Sequence, residues 1–230
     1  MKYSIGIRVL SVVAGAVSFS FVSSSDESKP LPNVLVIGDS ISIGYMAPLK
    51  ELLKDKANAV HNEGNAAYSG NGLDKLDSWL GDTKWAVIHF NFGLHDLKYI
   101  DDQGKNAATR ETGHIQVPLD KYRENLEAIV QRLEKTGARL VFATTTPFPK
   151  DVKGAVRDID DVAKYNEAAL EVMKKHKVEI DDLHAFILPL LEKLQEPQDV
   201  HFSKEGYEAL AGEVAVHVGK ALPVGAPAKP

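Results

Sequence analysis

From residue 33 onward, short apolar runs alternate with longer stretches in which apolar positions recur every three or four residues. The runs 33–38 "NVLVIG", 58–62 "NAVHN", 85–92 "WAVIHFNF", 138–145 "ARLVFATT" and 178–183 "VEIDDL" predict five strands. The stretches between them predict helices over 43–56, 73–80, 118–136, 159–177 and 205–220. The clearest is "PLDKYRENLEAIVQRLEKTG": Pro118 suits a first turn, Leu126, Ile129, Val130 and Leu133 share one face, and Gly137 ends it. Apolar strands separated by helices imply an α/β fold with a parallel sheet buried on both faces. In such sheets ligands bind outside the carboxyl ends of the strands. Ser40, the segment after 62, the segment after 92 and the loop after 145 all fall there. The long polar connections 97–117 and 146–158 lie on the same side, and loops of that length tend to be functional or disordered.

The ends of the chain break this pattern. "MKYSIGIR" is basic, "VLSVVAGAVSFSFV" is apolar and "SSS" follows, which is the layout of a secretory signal peptide over 1–24, cleaved near Ser23 to Ser25. The apolar stretch is short for a permanent anchor, so no stable membrane attachment is expected after its removal. A polar linker (25–32), a single domain (33–221) and a Pro-rich tail (222–230) complete the organisation. The full length of 230 residues suits one sizeable domain and hardly two. With no cysteine, disulfides, thiol catalysis and Cys-based zinc sites are excluded. The net charge is −5 and no basic stripe occurs, so a nucleic-acid partner is not expected.

Ser40, in "VIGDSIS" at the end of the first strand, has two readings. Serine before a helix is commonly a cap. A nucleophile would need a base within hydrogen-bond reach and a group to orient that base. Of the eight histidines, His176 and His217 lie in helical stretches, His89 sits in a strand pattern that suits a satisfied buried side chain, and His61 and His184 have no distinguishing context. His201 is different. It lies on a loop beside Asp199, in "PQDVHFSKEGY", just before a helix that Ser203 opens.

Taken together, "VIGDSIS" and "VHFSKEGY" resemble the first and last blocks of the SGNH (GDSL-type) hydrolase family, over residues 33–220. That resemblance implies a three-layer α/β/α sandwich around a mostly parallel five-stranded, flavodoxin-like sheet. It also implies Ser40 as nucleophile and His201 as general base. In the family's second block a glycine N–H faces the oxyanion. Here "NAAYSG" puts Ala67 in that place, with Gly64 of "NEG" as the competing register. In the third block an asparagine supplies a further donor, and "GLHD" replaces it with His95. The family places an aspartate three residues before the histidine, where this chain has Gln198. Asp199, two before, is the substitute, against a Ser–His dyad helped by a backbone carbonyl. Ser40 N–H would be the remaining oxyanion donor.

The implied activity is acyl transfer to water through an acyl-enzyme, without a cofactor or metal. The polar loop 97–117 favours an acetyl ester on a carbohydrate over a lipid, which would want an apolar lid. The alternatives are a lysophospholipase-type esterase, and a glycan-binding protein with a decayed site. A metal hydrolase using His95, Asp96, Asp199 and His201 lacks any H-E-x-x-H spacing.

Overall fold

The computed structural model describes residues 1–2 and 30–223. Most of the expected signal peptide (1–24), most of the expected linker (25–32) and the tail after Pro223 therefore lie outside the described residues. The five expected strands form one sheet of β1 (Asn33–Ile37), β2 (Asn58–His61), β3 (Trp85–Phe90), β6 (Arg139–Ala143) and β7 (Glu179–Asp181). Its order is β2-β1-β3-β6-β7 and every pairing is parallel. This is the flavodoxin-like doubly wound order, whose switch point lies between β1 and β3. Val34 to Ile37, Val87, Ile88, Phe90, Val141 and Phe142 are all buried, as a sheet covered on both faces requires.

The five expected helices are α1 (Ser40–Leu53), α2 (Ser69–Leu80), α3 (Leu119–Glu134), α4 (Ile159–His176) and α7 (Lys204–Ala221). On one side α1 packs against α7, and on the other α2, α3 and α4 form a row, giving the three layers. The apolar face read for α3 is the one it buries, with Leu126, Ile129, Val130 and Leu133 fully covered. Contact between α1 and α7 is close at Gly44, where a Cβ would meet the Tyr207 ring at 2.2 Å.

Four departures from the periodicity stand out, the first being α2, which begins at Ser69, four residues before its expected start. α1 begins at Ser40, three residues early, because Asp39 caps it by accepting from Ile41 N–H at 2.9 Å. The loop 97–117 carries a short antiparallel pair, β4 (Tyr99–Ile100) with β5 (His114–Ile115). After β7 the chain folds into α5 (Leu183–Ile187), a 3₁₀ turn (Leu188–Leu190) and α6 (Leu191–Leu194). These pieces are too short to show a period, and Pro189 interrupts them.

Candidate active site

β1 ends at Ile37, Gly38 and Asp39 make the turn, and Ser40 becomes the first residue of α1. The α1 cap is therefore Asp39, which leaves the Ser40 hydroxyl unneeded for capping. Among the described residues the Ser40 N–H has no partner either. The loop before α7 brings His201 to it across the top of the sheet. Ser40 Oγ lies 2.8 Å from His201 Nε2, and His201 Nδ1 lies 2.7 Å from Asp199 Oδ1. A carboxylate only accepts, so Nδ1 carries the proton and bare Nε2 accepts from the Ser40 hydroxyl. Asp199 Oδ1 also accepts the His201 backbone N–H at 3.2 Å. Partial burial works against the Asp199 charge, but the bonds and charge of His201 outweigh it and hold the carboxyl below its ordinary range.

The backbone explains how Asp199 replaces the aspartate one position earlier. Gln198 adopts a left-handed φ of 61° and turns its amide to Asp151 Oδ2 at 3.0 Å. Its backbone carbonyl accepts from Lys153 N–H at 2.8 Å, tying this bend to the loop after β6. The Ser203 hydroxyl accepts from Gly206 N–H and caps α7, in keeping with its place at the start of that helix.

The two loops that face Ser40 are fixed from beneath by a buried polar cluster. Ser69 N–H and Oγ both donate to Asp96 Oδ1, at 2.9 and 2.5 Å, and Asn125 Nδ2 donates to Ser69 Oγ at 2.9 Å. Asp96 Oδ2 is buried with no partner, and burial raises the carboxyl to about 7. Gly93, which opens "GLHD", has φ +152°, and a Cβ there would meet Thr145 Oγ1 at 2.1 Å, so the position demands glycine.

His95 and Asn65 line the Ser40 cleft, whereas Ala67 and Gly64 are not among its lining residues. Ala67 takes a left-handed φ of 55°, the conformation that favours glycine, and its N–H is held by Asn65 Oδ1 at 2.8 Å. Gly64 has φ +69° and gives its carbonyl to Asn62 Nδ2 at 3.2 Å. The His95 ring stands 4.0 Å from Asp39 Oδ2, and burial lowers its pKa, with Asp39 opposing. It is therefore neutral at pH 7, with one N–H to donate. The cleft holds about 460 Å³ and is lined by Ser40, Asn65, His95, Arg157, Asp199 and His201 among others.

Residues 36–209 match the GDSL-like lipase/acylhydrolase family. The chain belongs to that family. It is thus a carboxylic ester hydrolase by membership, with the α/β/α fold of its class. Solved structures agree on the fold. A lipase/acylhydrolase from Enterococcus faecalis superposes with TM-score 0.66 at 18% identity, covering 84% of this chain and 98% of that one. Axe2, an acetylxylan esterase from Geobacillus stearothermophilus, gives 0.65 at 17%, covering 84% and 97%. The acetyl xylan esterase AlAXEase gives 0.65 at 16%, covering 81% and 99%. A search of curated protein sequences finds no match.

None of the six remaining histidines lines this cleft. His89 Nε2 meets Asp181 Oδ2 at 2.9 Å in the core, and His176 pairs with Glu127 and Glu134 on the surface. His61 forms a second Ser–His pair, its Nε2 2.7 Å from Ser42 Oγ, but Ser42 is only 3% exposed and absent from the cleft lining. Its hydroxyl also lies 2.8 Å from the Asp39 carbonyl. His184 lies on α5, away from that lining. A trio of potential metal ligands, Asp181, Glu213 and His217, belongs to β7 and α7 and shares no member with the Ser40 cleft. Sequence reasoning missed Arg157 and Asn65 as cleft residues. Asn65 carried a signal, since it opens the "NAAYSG" block; Arg157, a charge inside a polar loop, carried none.

Proposed function

We propose that the protein is an exported serine esterase that removes short acyl groups, acetyl above all, from carbohydrate. The observation that carries this reading is the chain of contacts Ser40–His201–Asp199, which has the distances and the proton placement that nucleophilic catalysis needs. Ser40 Oγ attacks the ester carbonyl as its proton passes to His201 Nε2. Asp199 holds the ring in the correct tautomer and stabilises the imidazolium. The tetrahedral oxyanion is received by Ser40 N–H at the head of α1 and by His95, with Ala67 N–H joining once Asn65 releases it. His201 then returns the proton to the departing alcohol. A water attacks the acyl-enzyme with His201 again as base.

The polar lining of the cleft, with Asn65, His95 and Gln198, supports a hydroxyl-rich substrate over an acyl chain. The two acetylxylan esterases among the structural relatives point the same way. No helix among the described residues is long and apolar enough to cross a membrane. The basic, apolar and small-residue run over residues 1–24 is what supports export. The test is hydrolysis of p-nitrophenyl acetate against p-nitrophenyl octanoate by the wild-type enzyme. Acetate is expected to be preferred, and a preference for octanoate would transfer the reading to lipid esters.

A further inference from the structure

The chain as a whole is acidic, with a net charge of −5, yet the cleft beside Ser40 has two cations in its lining against the single carboxylate of Asp199. Lys153 and Arg157, on the loop after β6, both line it. Arg157 is partly buried there. Its Nε donates to Leu94 O at 2.9 Å and one Nη to Ala155 O at 3.3 Å. Both acceptors are neutral carbonyls, and the other N–H groups of the guanidinium have no protein partner among the described residues. None of the ion pairs formed by these residues includes Arg157, Lys153 or Lys98.

The nearest acids are already committed. Asp39 caps α1, and Asp199 holds His201. Burial accordingly draws the Arg157 pKa down, and these two acids only partly restore it. Lys98, whose backbone bridges to Arg157, is likewise drawn down by burial and by the Arg157 charge. A partly buried guanidinium without a carboxylate is unfavourable in the free protein, and it becomes favourable when a ligand supplies the counter-charge. Arginine offers planar paired donors suited to a carboxylate or a sulfate. Lys153 adds an exposed charge at the same wall, and its backbone N–H ties this wall to the bend that carries Asp199.

We propose that Arg157, assisted by Lys153, forms a subsite for an anionic group on the sugar that bears the ester, so that the substrate is an acylated acidic glycan. This rests on the ester-hydrolase reading and narrows it: a neutral acylated glycan leaves Arg157 unpaired and is the poorer substrate.

The experiment compares kcat/KM on three acetylated oligosaccharide series: oligogalacturonides, which carry carboxylates, sulfated galactan oligomers, and xylo-oligosaccharides free of uronic acid. The wild type, Arg157→Gln and Lys153→Gln are assayed at low and high salt, with thermal unfolding to verify the fold. One charge-assisted contact implies about a tenfold preference for an anionic series, acting through KM and shrinking as salt rises. The series preferred identifies the anion. Arg157→Gln is expected to remove most of the preference, and Lys153→Gln a smaller part. Equal kcat/KM on all three series in the wild type, or a preference that survives both substitutions, would overturn the proposal. If Arg157→Gln fails to fold, the salt dependence and Lys153→Gln decide it. Loss of all Ser40-dependent turnover on p-nitrophenyl acetate would instead count against the ester-hydrolase reading itself.

Discussion

Ser40 and Asp39 divide a task that the sequence leaves to a single residue. The aspartate caps α1, so the serine hydroxyl and N–H are both turned over to the cleft. The same division occurs at the other end of the site, where Gln198 takes the left-handed bend and Asp199 takes the histidine. Nothing in the residue types announced that bend, because a glutamine with positive φ has no sequence signature. What could be read was the pairing of Ser40 with His201, since each stands at a recognisable strand or helix boundary. Asp199 is half exposed, so solvent shares in stabilising the imidazolium, and its removal should be milder than for a fully buried aspartate. Asp199→Asn is expected to lower kcat roughly 10²–10³-fold with little change in KM. An unchanged kcat would show that a Ser–His dyad suffices.

At the scale of elements, the site is two loops pinned together below the surface. The loop after β2 meets the loop after β3 through Ser69, Asp96 and Asn125. Folding raises the Asp96 carboxyl to about 7, above its usual value near 4 in an unfolded chain. Between these two values the folded state keeps a proton that the unfolded state has lost. Stability contributed through Asp96 therefore falls as pH rises from about 4 through 7, and is level above that. Asp96→Asn keeps an acceptor for Ser69 and replaces the bare buried Oδ2 with a neutral amide. Urea unfolding at pH 5 and pH 8 should show the wild type losing stability at the higher pH, and the variant nearly level between them. A wild-type protein that gains stability over the same interval would contradict this assignment. The long elements were legible from apolar spacing because each buries one continuous face. The short ones, β4, β5, α5 and α6, are positioned by contacts with the rest of the fold, which a local pattern does not carry.

For the whole molecule, the β2-β1-β3-β6-β7 order explains why residues 161 positions apart become neighbours. Parallel strands all point their carboxyl ends to one edge, and the turns after β1 and β3 diverge there to open the cleft at the switch point. Strand and helix alternation made this edge readable in advance. The charge of its wall was not readable, because Lys153 and Arg157 look like any solvated pair until the loop is folded against Leu94. The central claim is that Ser40 is a nucleophile activated by His201. Its most direct test is labelling with a fluorophosphonate followed by peptide mass mapping. Ser40 Oγ should displace fluoride and form the phosphorus–oxygen bond, with His201 taking the proton. The account predicts a single adduct on Ser40, lost in His201→Ala and matched by loss of p-nitrophenyl acetate turnover. An unlabelled Ser40 in a protein that still hydrolyses the ester would contradict it.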